Sequence, residues 1–224
     1  MFSLMTDWAL ISGLSGVGLL SYLFIKSDPN LLGWTLLPTY MIHQFEEHYL
    51  DFKCERYAFQ KFFCNFLGYK NINECPGDKE FIFSVNVPGL YTAGILAGLL
   101  NNIKPIVAGG FAAIILLNAL VHIFASIKKK TYNPGVLTSI ILFLPVSLYY
   151  FYEMKKQEKL SNIDISICVF IGILYHLVIF LSLKLIMSNK INHLQLNLIN
   201  VLNGLTPLIC NEIYQIIKVN IKLT

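Results

Sequence analysis

The chain has 224 residues, 55% of them hydrophobic and only 13% charged, with a formal net charge of +4. That charged share is about half of what a soluble globular domain carries, which excludes a soluble enzyme as well as a disordered or collagenous chain. Five cysteines are too few for a disulfide-rich secreted scaffold, and the basic residues form no stripe with interleaved aromatics, so nucleic acid is not an expected partner.

The apolar residues fall in blocks long enough to span a bilayer, for which roughly 20 residues suffice. Trp8 to Ile25 is the first block; it has no basic region before it and no small-residue cleavage site after it, so it reads as a span and not a signal peptide. Asp28-Pro29-Asn30 makes a turn. The second block, Leu31 to about Leu50, starts apolar and ends in His43-Gln44-Phe45-Glu46-Glu47-His48. A polar segment from Asp51 to Lys79 contains Cys54, Cys64 and Cys75. Phe81 to Leu100 carries Asn86 and Pro88 early, and Pro105 to Ile127 carries Asn118 and His122 before Lys128-Lys129-Lys130 stops it. Asn133 as N-cap and Pro134 at the first helical position are expected to start the span Val136 to Tyr152. Ile165 to Leu183, with His176 inside, is the sixth.

In the tail, His193, Asn197, Asn200, Gly204, Pro207 and Asn211 recur in steps of three and four, one face of a helix. Such a face is costly against lipid and should look inward. It predicts a seventh helix over Leu194 to Ile217, kinked at Pro207, with an interfacial helix as the alternative. The expected fold is thus an all-α, polytopic transmembrane helical bundle of about six to seven spans, with residues 1–224 forming a single integral membrane domain. The bilayer is its first partner.

Seven spans put ten Lys and Arg on the side of the N-terminus, the 51–79 segment, the Lys triplet and the 184–193 turn, and seven on the other. The excess predicts a multi-pass cell-membrane protein with its N-terminus in the cytoplasm. The loop cysteines would then meet a reducing compartment, where unpaired thiols are expected, and their spacing does not fit a CxxC zinc ribbon. Trp8, Trp34, Tyr149, Tyr150 and Tyr152 read as interfacial anchors. Gly94 and Gly98 read as a close-packing pair.

Ionisable groups inside a membrane mark function by default. His43, Glu46 and Glu47 lie at i, i+3 and i+4 on one helical face, with Tyr40 a turn earlier; His48 points elsewhere. The alternative is that the helix has ended by His43 and these groups meet water. Four features nevertheless converge at one depth on one side: the acidic helix end, Asn118 with His122, the Tyr132–Gly135 loop, and Asn86. That convergence favours a site.

These residues carry a resemblance. His43-Gln44-Phe45-Glu46-Glu47, then His122, then Tyr132-Asn133-Pro134-Gly135 resemble, in order, the HxxEE motif, the later histidine and the YxPG motif of the HXXEE-domain family of small multispanning membrane proteins. The likeness covers roughly residues 31–152; the helical extension 163–224, with His176 and the Asn series, lies outside it. The resemblance implies a multispanning fold and supplies no reaction, substrate or cofactor.

The chemistry therefore rests on the residues. His43, Glu46 or Glu47, and His122 are candidate ligands of one divalent metal, zinc by ligand type. The other glutamate is the candidate base toward metal-bound water, and Tyr132, Asn118, Asn86 and Tyr40 are candidates to orient ligands or polarise a substrate. This predicts a metal-dependent membrane hydrolase acting on a lipid or membrane-embedded substrate. The acidic pair is similar in kind to that of CAAX-type intramembrane proteases, but their EExxxR pattern is missing, since Asp51 stands where the arginine would. A di-metal oxygenase would lack ligands. A non-enzymatic proton or cation carrier, or an immunity-type protein, would use the same groups. A structural pairing of Glu46 and Glu47 with Lys53 or Arg56 is the third possibility.

Overall fold

The computed structural model describes residues 4–223; it is 81% helical, with no strand among the described residues, so the chain is all-α. In chain order, α1 (Leu4–Lys26) leads through a 3-10 turn at Pro29–Leu31 into α2 (Leu32–His48). The segment after it contains a short helix, α3 (Ala58–Phe66). Then follow α4 (Lys79–Leu100), α5 (Pro105–Lys129), α6 (Val136–Lys156), α7 (Asn162–Met187), α8 (His193–Gly204) and α9 (Thr206–Leu223). Among the described residues five helices, α1 and α4 to α7, are long and apolar enough to cross a membrane. α2, at 17 residues, and the divided tail are shorter or more polar.

α5 is the central helix. From Ile106 to Ile115 every residue is buried, which a helix can manage only if its neighbours approach on all sides. Small residues permit the approach: a Cβ on Gly109 would sit 2.5 Å from Cys168 Sγ, and one on Gly172 would sit 3.1 Å from the Ala113 backbone, so α5 and α7 cross nearly in contact. Gly94 and Gly98 do the same for α4, against Leu37 and Trp34 of α2.

Two helices depart from α-geometry near the polar centre. In α4 the stretch Val85–Tyr91 is π-helical around Pro88, which has no N–H to give to the preceding turn. In α6 the stretch Ser139–Phe143 is π-helical. The start of α6 also differs from expectation. Its N-cap is Gly135, in the left-handed region at φ +92°, and Asn133 instead sends its side-chain amide to the His122 carbonyl at 3.3 Å.

The tail is two helices, not one kinked helix. α8 stops at Gly204 and α9 restarts at Thr206, because Pro207 can sit in a first turn but cannot continue the ladder of the turn before it. The polar face does look inward: Asn200, Gly204, Pro207 and Asn211 are buried, and Asn203 joins them, while Asn197 is exposed. Asn200 donates to Ser84 Oγ at 2.9 Å and Asn203 to the Tyr175 carbonyl at 3.2 Å. At the other end of the molecule Lys104 meets Glu212 at 2.6 Å.

Three further expectations are corrected. Cys64 and Cys75 are not free thiols but a disulfide, while Cys54 is free and exposed. Trp8 is no interfacial anchor; it is buried against His48, with ring centroids 5.6 Å apart. Tyr150 is fully buried and donates to Asn101 Oδ1 at 2.8 Å, whereas Tyr149 and Tyr152 are exposed.

Candidate metal centre

α2 does not end at His43. It keeps its helical ladder to His48, and the α1, α5 and α6 regions close around its last turns, so the polar end is interior: His43 is 0% exposed, Glu46 6%, Glu47 4% and His48 2%. These groups do not meet open water. Nor do Lys53 and Arg56 neutralise them. Lys53 lies over the Tyr132 ring at 5.5 Å and Arg56 pairs with Asp7 at 3.2 Å.

α5 brings the second imidazole. His122, 4% exposed, places Nε2 3.0 Å from Glu47 Oε1, while His43 Nε2 lies 3.3 Å from Glu47 Oε2. One ligating atom from each of His43, Glu47 and His122 falls within 4.8 Å of the others, and all three residues are buried. Such a grouping of two imidazoles and a carboxylate could hold a metal ion.

Glu46 faces the other way and is saturated. Its Oε1 accepts from Tyr132 OH at 2.8 Å and from the Leu137 N–H at 3.2 Å. Its Oε2 accepts from the Thr138 N–H at 2.8 Å and from the Thr138 hydroxyl at 2.5 Å. Burial, and then the Glu46 carboxylate, push the Tyr132 hydroxyl above its ordinary value, so it remains a donor.

The Thr138 hydroxyl fixes the tautomer of His43. Its one proton goes to Glu46, so at 2.8 Å it must accept from His43 Nδ1. The other ring nitrogen, Nε2, is buried with no hydrogen-bond partner and lies 3.3 Å from Glu47 Oε2. A buried nitrogen and a carboxylate oxygen this close need a positive group between them, a proton or a cation.

The loop of the YxPG pattern closes the cluster from above. A Cβ on Gly135 would sit 2.9 Å from Glu47 Cγ, from His122 Cε1 and from His43 Cε1. Glycine is required here both by this approach and by its positive φ. Phe143 covers the His43 ring at 4.0 Å, and Phe59 of α3 lies 5.8 Å from the His122 ring.

The remaining expected residues form a flanking layer. Tyr40 donates to Asn86 Oδ1, and Asn86 Nδ2 lies 2.8 Å from the Ile82 carbonyl and 3.4 Å from His48 Nε2. His48, expected to point away, puts Nε2 3.4 Å from Glu47 Oε2, so three imidazoles surround one carboxylate. Helical spacing misplaced His48 because a neighbouring side chain can reach back toward the face of the preceding residue. Asn118 Oδ1 and His122 Nδ1, one turn apart, are both buried without a hydrogen-bond partner. Thr138 carried no sequence signal, since its role depends on the α2–α6 contact. His176 is not among the clustered residues; its Nδ1 lies 2.8 Å from the Gly172 carbonyl in its own helix.

No curated protein and no solved structure matches this chain. The motif residues that build the site lie inside the stretch 34–150, more than half of the chain, that matches the profile described as "Protein of unknown function with HXXEE motif", and the chain belongs to that family.

Proposed function

We propose that the chain is an integral membrane protein in which α2 and the tail complete a bundle of six to seven spans. Around the end of α2 it binds one divalent transition metal through His43, Glu47 and His122, zinc by ligand type. It acts as a metal-dependent hydrolase on a lipid or membrane-embedded substrate. The observation that carries the metal reading is the convergence of one buried ligand atom from each of His43, Glu47 and His122 within 4.8 Å, with His43 Nε2 lacking a hydrogen-bond partner.

Zinc held by His43, Glu47 and His122 would supply Lewis-acid chemistry, including activation of a water at neutral pH. The chain's own residues supply the rest. Glu46, engaged by four donated hydrogen bonds, serves as a positioning carboxylate: through Thr138 it orients the His43 ring, and through Tyr132 it holds the loop over the cluster.

A second reading has one specific support. His48 beside Glu47 makes a ring of imidazoles around one acid, an arrangement suited to handling a proton in a carrier.

Metal analysis of protein purified in mild detergent separates the two. The hydrolase reading expects about one equivalent, lost in His43→Ala and in His122→Ala while the helical content stays. Folded protein that holds no metal after mild purification and zinc reconstitution overturns it and leaves the proton reading.

A further inference from the structure

Every group of the cluster arrives at the same end of the helices as the 51–78 segment, and that segment is cross-linked. Cys64, in α3, is bonded to Cys75 across 11 residues, and both side chains are buried. The packing runs unbroken from the bond to the metal ligands. Phe63 lies where a Cβ on Gly77 would fall, at 2.6 Å, and stacks on Phe59 with centroids 5.7 Å apart. Phe59 in turn lies against the rings of His48 at 5.4 Å and His122 at 5.8 Å. The disulfide and the cluster are therefore on one side of the membrane.

Disulfides persist in oxidising compartments and are rare where glutathione and thioredoxin keep thiols reduced. The count of ten basic residues against seven points the other way. A margin of three charges is a bias on insertion, whereas a buried structural cross-link needs a compartment in which it can form.

We infer that the His43–Glu47–His122 site opens to the oxidising, extracytoplasmic side of the membrane, with the N-terminus on that side. Resting on the metal reading above, its metal and its substrate, a lipid of the outer leaflet or a segment exposed there, come from that compartment.

Two measurements on full-length protein test this, and neither involves metal. In the first, Cys168→Ala/Cys210→Ala leaves exposed Cys54, in the cross-linked segment, as the one free thiol. A membrane-impermeant maleimide added to intact cells should label it. A companion variant that adds Cys54→Ser and carries Lys156→Cys, exposed at the opposite end of α6, should label only after permeabilisation. Any other pattern overturns the orientation. In the second, unaltered protein is alkylated on lysis and digested without reductant; a peptide pair joined through Cys64 and Cys75 is expected. Alkylation of both cysteines overturns the inference without touching the metal stoichiometry, which can fail or hold by itself.

Discussion

A carboxylate in a membrane interior needs either a positive partner or a full set of donors, and the two adjacent glutamates meet that demand differently. Glu46 has its donors in the Tyr132–Thr138 stretch; Glu47 has imidazoles and, at 3.5 Å, the Gln44 amide. Glu47→Gln is therefore expected to abolish metal retention, while Glu46→Gln should weaken affinity by about 10–100-fold, the usual cost of disturbing a ligand's support. A chelator titration followed by metal analysis checks this, and equal losses from both variants would contradict the division of roles. Gly135→Ala should be as damaging as the loss of a ligand. Its Cβ has all three ligands at 2.9 Å and a backbone at φ +92°, so a metal-replete Gly135→Ala protein would show that the loop does not close on the cluster.

At the scale of elements, the contacts that matter are those where backbone meets backbone. A Cβ on Gly204 of α8 would lie 2.5 Å from the Gly89 carbonyl oxygen in the π-helical stretch of α4, and neither partner can rotate away. Gly204→Ala should cost about 1–3 kcal/mol, as overpacking does, read as a lowered thermal midpoint in detergent; an unchanged midpoint would mean that α8 docks loosely. The Cys64–Cys75 bond closes a short loop, for which about 2–4 kcal/mol is usual. Cys64→Ser/Cys75→Ser should lower the midpoint to that of the reduced parent, and the loosened Phe59 should speed metal loss to a chelator. Identical metal off-rates would remove α3 from any role over the site.

At the scale of the whole molecule, the metal would tie α2 to α5, and its binding energy would become folding energy. An imidazole ligates only through an unprotonated nitrogen, so acid competes with the metal. Metal retention should then fall as the medium is acidified, since His43 and His122 must be neutral to ligate. Metal content after equilibration from pH 8 down to pH 5 reads this directly, with the thermal midpoint falling in step. A midpoint indifferent to both acid and chelator would indicate a site held together by side-chain pairing alone.

How far such properties can be read without coordinates depends on whether the signal is local. Apolar blocks, turn residues and the i, i+3, i+4 spacing are properties of single segments, so the helices, the convergence of α2 with His122 and the inward Asn face of the tail were legible in the sequence. Partnerships across helices were not. That Glu46 turns to Thr138 while Glu47 turns to the imidazoles, that His48 reaches back to Glu47, that Trp8 is interior and that Cys64 meets Cys75 all depend on where one helix end sits relative to another. Rows of equivalent side chains on one face look alike in a sequence; only packing, which leaves each polar atom a small set of partners within about 3 Å, decides which carboxylate is saturated by backbone and hydroxyl donors and which is left among imidazoles.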